Sequence, residues 1–203
     1  MSNENLRLLQ VQHLVKEGYV PFGDVLRAIP WPNNAARPYE NDAEHSFSLA
    51  FIGSALGGTI GLDCGKIALY STVHDFPERY AGDTSVWDTE GIKSKAEREA
   101  AAIKKIEKEF KAFPTLVKAI HDYENLIDEE ARFVYALDKL VAPLLIVQGG
   151  GKFWKDNEIT FEMHLRKVEE VRPKIAKHPL VLSWYDEFLA EAEDKKNNLF
   201  ASS

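Results

Sequence analysis

No stretch of this chain limits its fold more than the run Phe133-Val134-Tyr135-Ala136-Leu137-Asp138-Lys139-Leu140-Val141-Ala142-Pro143-Leu144-Leu145-Ile146-Val147. A run this apolar predicts a largely buried helix, around which other elements must pack. Asp138 stands near its middle. An isolated buried carboxylate costs several kcal/mol unless it is paired or bound to a metal. Pairing with Lys139 or with a nearby Arg at the surface edge is the plain explanation. Successive helical residues point about 100° apart, however, which makes Lys139 a poor partner. Metal ligation is the other explanation.

The remaining apolar spacing is mostly helical, and the chain has only 12 Gly and 9 Pro. Leu6, Leu9, Val11, Leu14 and Val15 predict a first helix that stops at Gly18. Residues 19–42 read as a long connection, because Pro21, Gly23, Pro30, Pro32, Asn33-Asn34 and Pro38 resist regular structure. Such a loop is often functional. Asn41 or Asp42 is positioned to cap a helix over about 43–57, and Asp63 another that runs to about Asp75. Pro77 suits the first turn of a short helix, and Gly82 breaks the chain again. Residues 93–111 read as an exposed helix with a stripe of Ile103, Ile106 and Phe110. Further helices are expected at 114–125, 128–148, 159–176 and 179–195. With no internal repeat and no convincing strand pair, the fold class is all-α, a globule of roughly seven or eight helices.

Composition removes several classes of function. The chain of 203 residues fits one domain, and with 45% hydrophobic residues it can offset its ordering entropy. A net charge of -7 speaks against nucleic acid polymers as partners, which require many Lys and Arg contacts to phosphate. The single Cys64 excludes an internal disulfide or a thiolate cluster. The polar N-terminus is unlike a secretory signal, and no apolar run approaches a membrane span. The expectation is a cytoplasmic protein with no membrane partner.

Two further ionisable groups share the anomaly of Asp138. The helix Ile67-Ala68-Leu69-Tyr70-Ser71-Thr72-Val73 ends in His74-Asp75, with Glu78 and Asp83 following within eight residues. The dipeptide alone is a weak signal: His121-Asp122 repeats it without the apolar approach or the acidic sequel, and reads as a helix-surface pair. His45 lies in the first turn of the apolar helix after Asn41-Asp42-Ala43-Glu44. Alone, such a histidine is usually a cap or a satisfied core residue. Together, His45, His74, Asp75 and Asp138 supply two imidazoles and two carboxylates from three buried helices. That mixed set suits Mn, Fe, Co, Ni or Zn and leaves two positions of an octahedral ion open.

This order of His, His-Asp and a distant Asp resembles the HD-domain metal-dependent phosphohydrolases. Ala43-Glu44-His45-Ser46, His74-Asp75-x-x-Glu78, Gly82-Asp83 and Ala131-Arg132-Phe133-Val134 leading to Leu137-Asp138-Lys139 are most similar to the bacterial 5'-deoxynucleotidases (YfbR type) and their eukaryotic relatives. The similarity spans about residues 5–195 of a single HD domain at 1–203. It implies that His45, His74, Asp75 and Asp138 hold one divalent ion, with Co, Mn, Zn, Ni, Fe and Mg as candidates. Glu78 and Asp83 would be the acid-base carboxylates, and Trp31 would help exclude a ribose 2'-hydroxyl. The family also keeps an Arg just before that Trp to bind phosphate. Here Pro30 precedes Trp31, and the nearest arginines are Arg27 and Arg37.

The resemblance implies hydrolysis of a deoxynucleoside monophosphate, the small-molecule partner, to deoxynucleoside and phosphate. A deoxynucleoside triphosphate hydrolase and a non-catalytic nucleotide-binding HD domain are the alternatives. Family members are commonly homodimers, and Trp184, Phe188, Leu189 and Phe200 could supply a subunit face or pack on the chain's own core.

Overall fold

The computed structural model describes residues 8–30, 32, 39–85 and 87–202. Trp31 and Arg37 lie outside the described residues. The fold is all-α apart from one small ribbon. Among the described residues, seven helices of ten residues or more form its body: α3 Asp42–Thr59, α4 Cys64–Val73, α6 Thr89–Glu109, α7 Pro114–Glu124, α8 Glu129–Gln148, α10 Phe161–Ile175 and α11 Pro179–Asp194. Short helices α1 Leu8–His13, α2 Val20–Gly23, α5 Glu78–Ala81, α9 Lys152–Asp156 and α12 Lys196–Leu199 complete it.

Side-chain caps start the helices where the sequence places them. Asn41 accepts from the Glu44 amide at 3.0 Å while Glu44 accepts from the Asn41 amide at 3.2 Å, a capping box that opens α3. Asp63 caps α4 through the amides of Gly65 and Lys66. Asp128 accepts from the Ala131 amide at 2.9 Å and opens α8.

The helix α8 is the axis of the core, with Phe133, Val134, Leu137 and Val141 each at most 2% exposed. Against it pack Leu49 of α3, Ile67 of α4, Ile175 of α10 and Val181 of α11. On α3, Gly53 and Gly57 face Ile67, and a Cβ on Gly57 would collide with that side chain. Their small size lets α3 and α4 pack closely. Val73, one turn after Tyr70, belongs to a second cluster with Phe22, Phe76, Ile106 and Phe110. The helix α4 therefore bridges both clusters and delivers His74 and Asp75 at its end.

Two expectations need correction. The first helix does not stop at Gly18: a π-helical segment, Leu14–Tyr19, carries the chain into α2. Gly18 is buried within that segment, and a Cβ there would make only an ordinary contact with the Phe110 ring at 3.7 Å. The connection at 19–42 holds α2 and an antiparallel strand pair, β1 Leu26–Pro30 and β2 Tyr39–Asn41, with Leu26 opposite Asn41 and Pro30 opposite Tyr39. Strands this short, punctuated by prolines, carry no readable period-two pattern. Of the C-terminal aromatic and apolar residues, Phe188 and Phe200 are buried in the main core, and the partly buried Trp184 and Leu189 pack against it.

Among the described residues, no helix is long and apolar enough to cross a membrane.

Gly151 begins α9 at φ 71°, and a Cβ there would run into the Leu199 carbonyl, which is backbone and cannot yield. Gly150, at φ 65°, faces open space. Gly151→Ala should therefore cost at least about 3 kcal/mol. Gly150→Ala should cost only about 1 kcal/mol for its left-handed backbone. Denaturant unfolding of both variants checks the difference.

Candidate metal centre

Three helices and the ribbon converge on one buried cluster. His45, in the first turn of α3, is 0% exposed. Its Nε2 lies 2.8 Å from Asp138 Oδ1 on α8, and its Nδ1 3.2 Å from Glu40 Oε2 on β2. Burial and Arg27 oppose a charge on this ring, but the hydrogen bonds to Asp138 and Glu40 outweigh them and push its pKa up to about 9.

His74 caps the end of α4. Its Nδ1 lies 2.8 Å from the Ser71 carbonyl, which can only accept, so Nδ1 carries the proton. Its Nε2 lies 2.9 Å from Asp75 Oδ2 and 3.8 Å from Asp138 Oδ1, and in the neutral ring it turns a lone pair toward them. Among the described residues this buried nitrogen has no hydrogen-bond partner. A lone pair turned toward carboxylate oxygens is repelled unless a proton or a metal cation stands between them. The donor atoms of His45, His74 and Asp138 lie within 4.8 Å of one another, and the cluster fits a divalent ion. The Ser71 carbonyl holds the outer ring nitrogen of His74, as partners of metal-bound histidines do, and Glu40 faces that of His45 at 3.2 Å.

The strand pair delivers the counter-charge. Arg27 Nη1 on β1 lies 2.6 Å from Asp75 Oδ2 and 3.5 Å from Asp42 Oδ1, and its Nε 3.6 Å from Glu40 Oε2. Although burial opposes it, ion pairing with His74 and Arg27 holds Asp75 well below the usual carboxylate range. Asp138 is likewise held low against its burial by Lys139 and His45. The Lys139 ammonium touches Asp138 Oδ2, correcting the expectation that it is a poor partner. Its four methylenes fold the charge back to a neighbour that a shorter side chain could not reach.

Carboxylates still outnumber cations. Burial and the charge of Asp75 push Asp42 up to about 8, and the same two causes push Glu78 up to about 9 despite Lys95. The sequence offered no sign of Glu40 as a site residue and marked Asp42 only as a cap, yet both are at most 1% exposed.

A cleft opens on this cluster, and its walls include Arg27, Asp75, Glu78, Asp83, Asp138 and Lys139. Glu78 begins α5, after Pro77 ends the preceding turn, and its carboxylate lies within 4.8 Å of oxygens of Asp42 and Asp75. Asp83 follows Gly82, which turns the chain at φ 75°. Two residues of α6 support this wall. Lys95 Nζ lies 3.2 Å from Glu78, while Arg98 donates to Thr84 Oγ1 at 2.8 Å and to the Ala81 carbonyl. Both were missed because α6 reads as an exposed, mixed-charge helix, and nothing in the sequence marks which of its cations turn inward. His121, by contrast, pairs with Glu107 on the surface, as its sequence context suggests.

The family described as HD domain matches residues 24–178 of the chain. A solved structure described as a predicted metal-dependent phosphohydrolase from Magnetospirillum magnetotacticum MS-1 has a TM-score of 0.75 at 25% identity. That match covers 95% of this chain and 94% of the other. No curated protein matches the sequence.

Divalent ions should stabilise the protein by about 2.7 kcal/mol at a hundredfold excess over Kd. His74→Ala should remove that gain, as read from melting temperatures with and without Mn, Co, Ni or Zn. A second expectation concerns His164 in the same cleft, which burial alone pushes down to about 4 from 6.5. The unfolded chain takes this proton first, so the histidine's contribution is complete above about pH 6.5 and is lost as pH falls toward 4. Between pH 7.5 and 5 the metal-free wild type should lose about 2 kcal/mol more than His164→Leu, measured by denaturant unfolding.

Proposed function

This chain belongs to the HD-domain family, and from that membership we propose that it is a metal-dependent phosphohydrolase, specifically a 5'-deoxynucleotidase that converts a deoxynucleoside monophosphate to deoxynucleoside and phosphate. One observation carries the metal-dependent part: the buried His74 Nε2, on the ring edge opposite the Ser71 carbonyl, faces Asp75 and Asp138 together, where the neutral ring offers them only a lone pair. The metal-dependent phosphohydrolase with a similar fold supports the reaction class. The motif resemblance supports the deoxynucleotide substrate.

In this reading His45, His74, Asp75 and Asp138 hold the ion. When bound, a divalent ion lowers the pKa of water and neutralises charge on phosphoryl oxygens. The protein supplies position and protons. Arg27 and Lys139 line the cleft beside Asp75 and Asp138 and face an incoming phosphate with positive charge. Glu78, whose pKa burial and the charge of Asp75 raise, is placed on the cleft wall to give a proton to the departing sugar oxygen. Asp83, also on the cleft wall, accepts the proton of the attacking water. Arg98 fixes the loop that carries Asp83, and Lys95 fixes Glu78. No covalent nucleophile is required, since positioning and electrostatics suffice for phosphoryl transfer. Trp31 is the residue proposed to exclude the 2'-hydroxyl.

Phosphate release from deoxy- and ribonucleoside monophosphates by metal-loaded protein tests the proposal. Deoxy substrates should be preferred by about tenfold or more, an activation difference of about 1.4 kcal/mol. Glu78→Gln should lower kcat by about 100- to 10,000-fold while one ion stays bound. Inertness toward every nucleotide, equal use of ribo forms, or release of triphosphate from deoxynucleoside triphosphates alone would refute it.

A further inference from the structure

The cleft extends well beyond the ion cluster. Along α8 its wall runs through Asp138, Lys139, Ala142, Pro143 and Ile146. Eight helical residues separate the first from the last, about 12 Å. The charged end is thus followed by an apolar trough, long enough for a sugar and a flat ring laid after a phosphate. The facing wall comes from α10, whose His164, Lys167, Val168 and Val171 share one helical face at i, i+3, i+4 and i+7.

His164 is the one imidazole of that trough outside the ion cluster. It is 6% exposed and lies against Trp154, with ring centroids 5.0 Å apart, and near Phe200 at 5.4 Å. Trp154 follows the C-terminal end of α8, so His164 stands at the end of the trough remote from Asp138. Among the described residues its Nε2 is buried without a hydrogen-bond partner. A polar nitrogen left so is costly in a folded core. Burial, with no carboxylate opposing it, keeps the ring neutral at pH 7. A neutral imidazole offers one donor and one acceptor to a ligand.

We propose that His164 is a specificity-determining residue, whose Nε2 hydrogen-bonds the polar edge of a nucleobase seated in the apolar trough. The assignment rests on the nucleotide reading above and deepens it. The partner is a flat, uncharged heterocycle: apolar walls accept its faces, and a single neutral nitrogen reads its edge.

The test compares deoxynucleoside monophosphates with 2-deoxyribose 5-phosphate, which lacks the base, using metal-loaded wild type, H164L and H164Q. For H164L, kcat/KM on the nucleotides should fall by about tenfold or more, while turnover of deoxyribose 5-phosphate changes less than about twofold. H164Q, which keeps a polar atom near the Nε2 position, should recover most of the loss. Should H164L fail to fold, the imidazole nitrogen resonances of wild type decide. The His164 signal should move on addition of a deoxynucleoside and stay in place with deoxyribose 5-phosphate. Equal loss on both substrates, no loss on either, or a resonance that ignores the nucleoside overturns the assignment alone. A wild type inert to every deoxynucleotide overturns the nucleotide reading and takes the assignment with it.

Discussion

Asp138 is a charge buried in an apolar helix, and the surrounding groups are arranged so that it never stands alone. His45 reaches it from 93 residues away at 2.8 Å, Lys139 folds back onto it, and the unpartnered nitrogen of His74 is 3.8 Å distant. Removing one partner from such a cluster leaves an uncompensated charge, which costs far more than the pair gains over an apolar substitute. Stability is therefore a poor reason to keep it. The excess of carboxylates points the same way. Burial and the charge of Asp75 raise the pKa of both Asp42 and Glu78, and neither Arg27 beside the first nor Lys95 beside the second offsets it. A divalent ion relieves that excess at the point where the donor atoms meet.

The architecture follows from delivering those donors to one place. Gly53 and Gly57 let α3 and α4 approach closely, which sets His45 on one helix near His74 at the end of the other. The strand pair, small as it is, places Arg27 and Glu40 over the histidines, and the Val25 carbonyl accepts from the Asp42 amide at 3.0 Å where the ribbon meets α3. On the far side, α6 contributes no ligand. Its Arg98 and Lys95 instead fix the loop and short helix that carry Asp83 and Glu78. A rigid support of this kind is what separates carboxylates that merely lie nearby from ones held for proton transfer.

Much of this was legible in the sequence because it breaks a rule. A carboxylate inside an apolar helix, an imidazole in the first turn of another and a His-Asp pair at the end of a third are each out of place, and the structure joins them. The helices were equally readable, since 3.6-residue spacing and capping side chains at Asn41 and Asp63 are local signals. What escaped was neither periodic nor anomalous. The strands Leu26–Pro30 and Tyr39–Asn41 hide among prolines. Glu40 resembles any surface glutamate until the ribbon turns it inward, and Lys95 shares its helix with many exposed cations. Lys139 was judged by its helical angle, although the length of its side chain decides where its charge goes. Gly18 reads as a stop, yet the π-helical segment runs through it. In the other cases tertiary packing overrode a local signal.

The claim on which the rest depends is that one divalent ion sits among His45, His74, Asp75 and Asp138. Anomalous diffraction from crystals grown with Mn, Co or Zn locates that ion directly. The expected result is one strong peak about 2.0–2.3 Å from donor atoms of those four residues. A peak confined to Asp42, Asp75 and Glu78, or none at saturating metal, would contradict it.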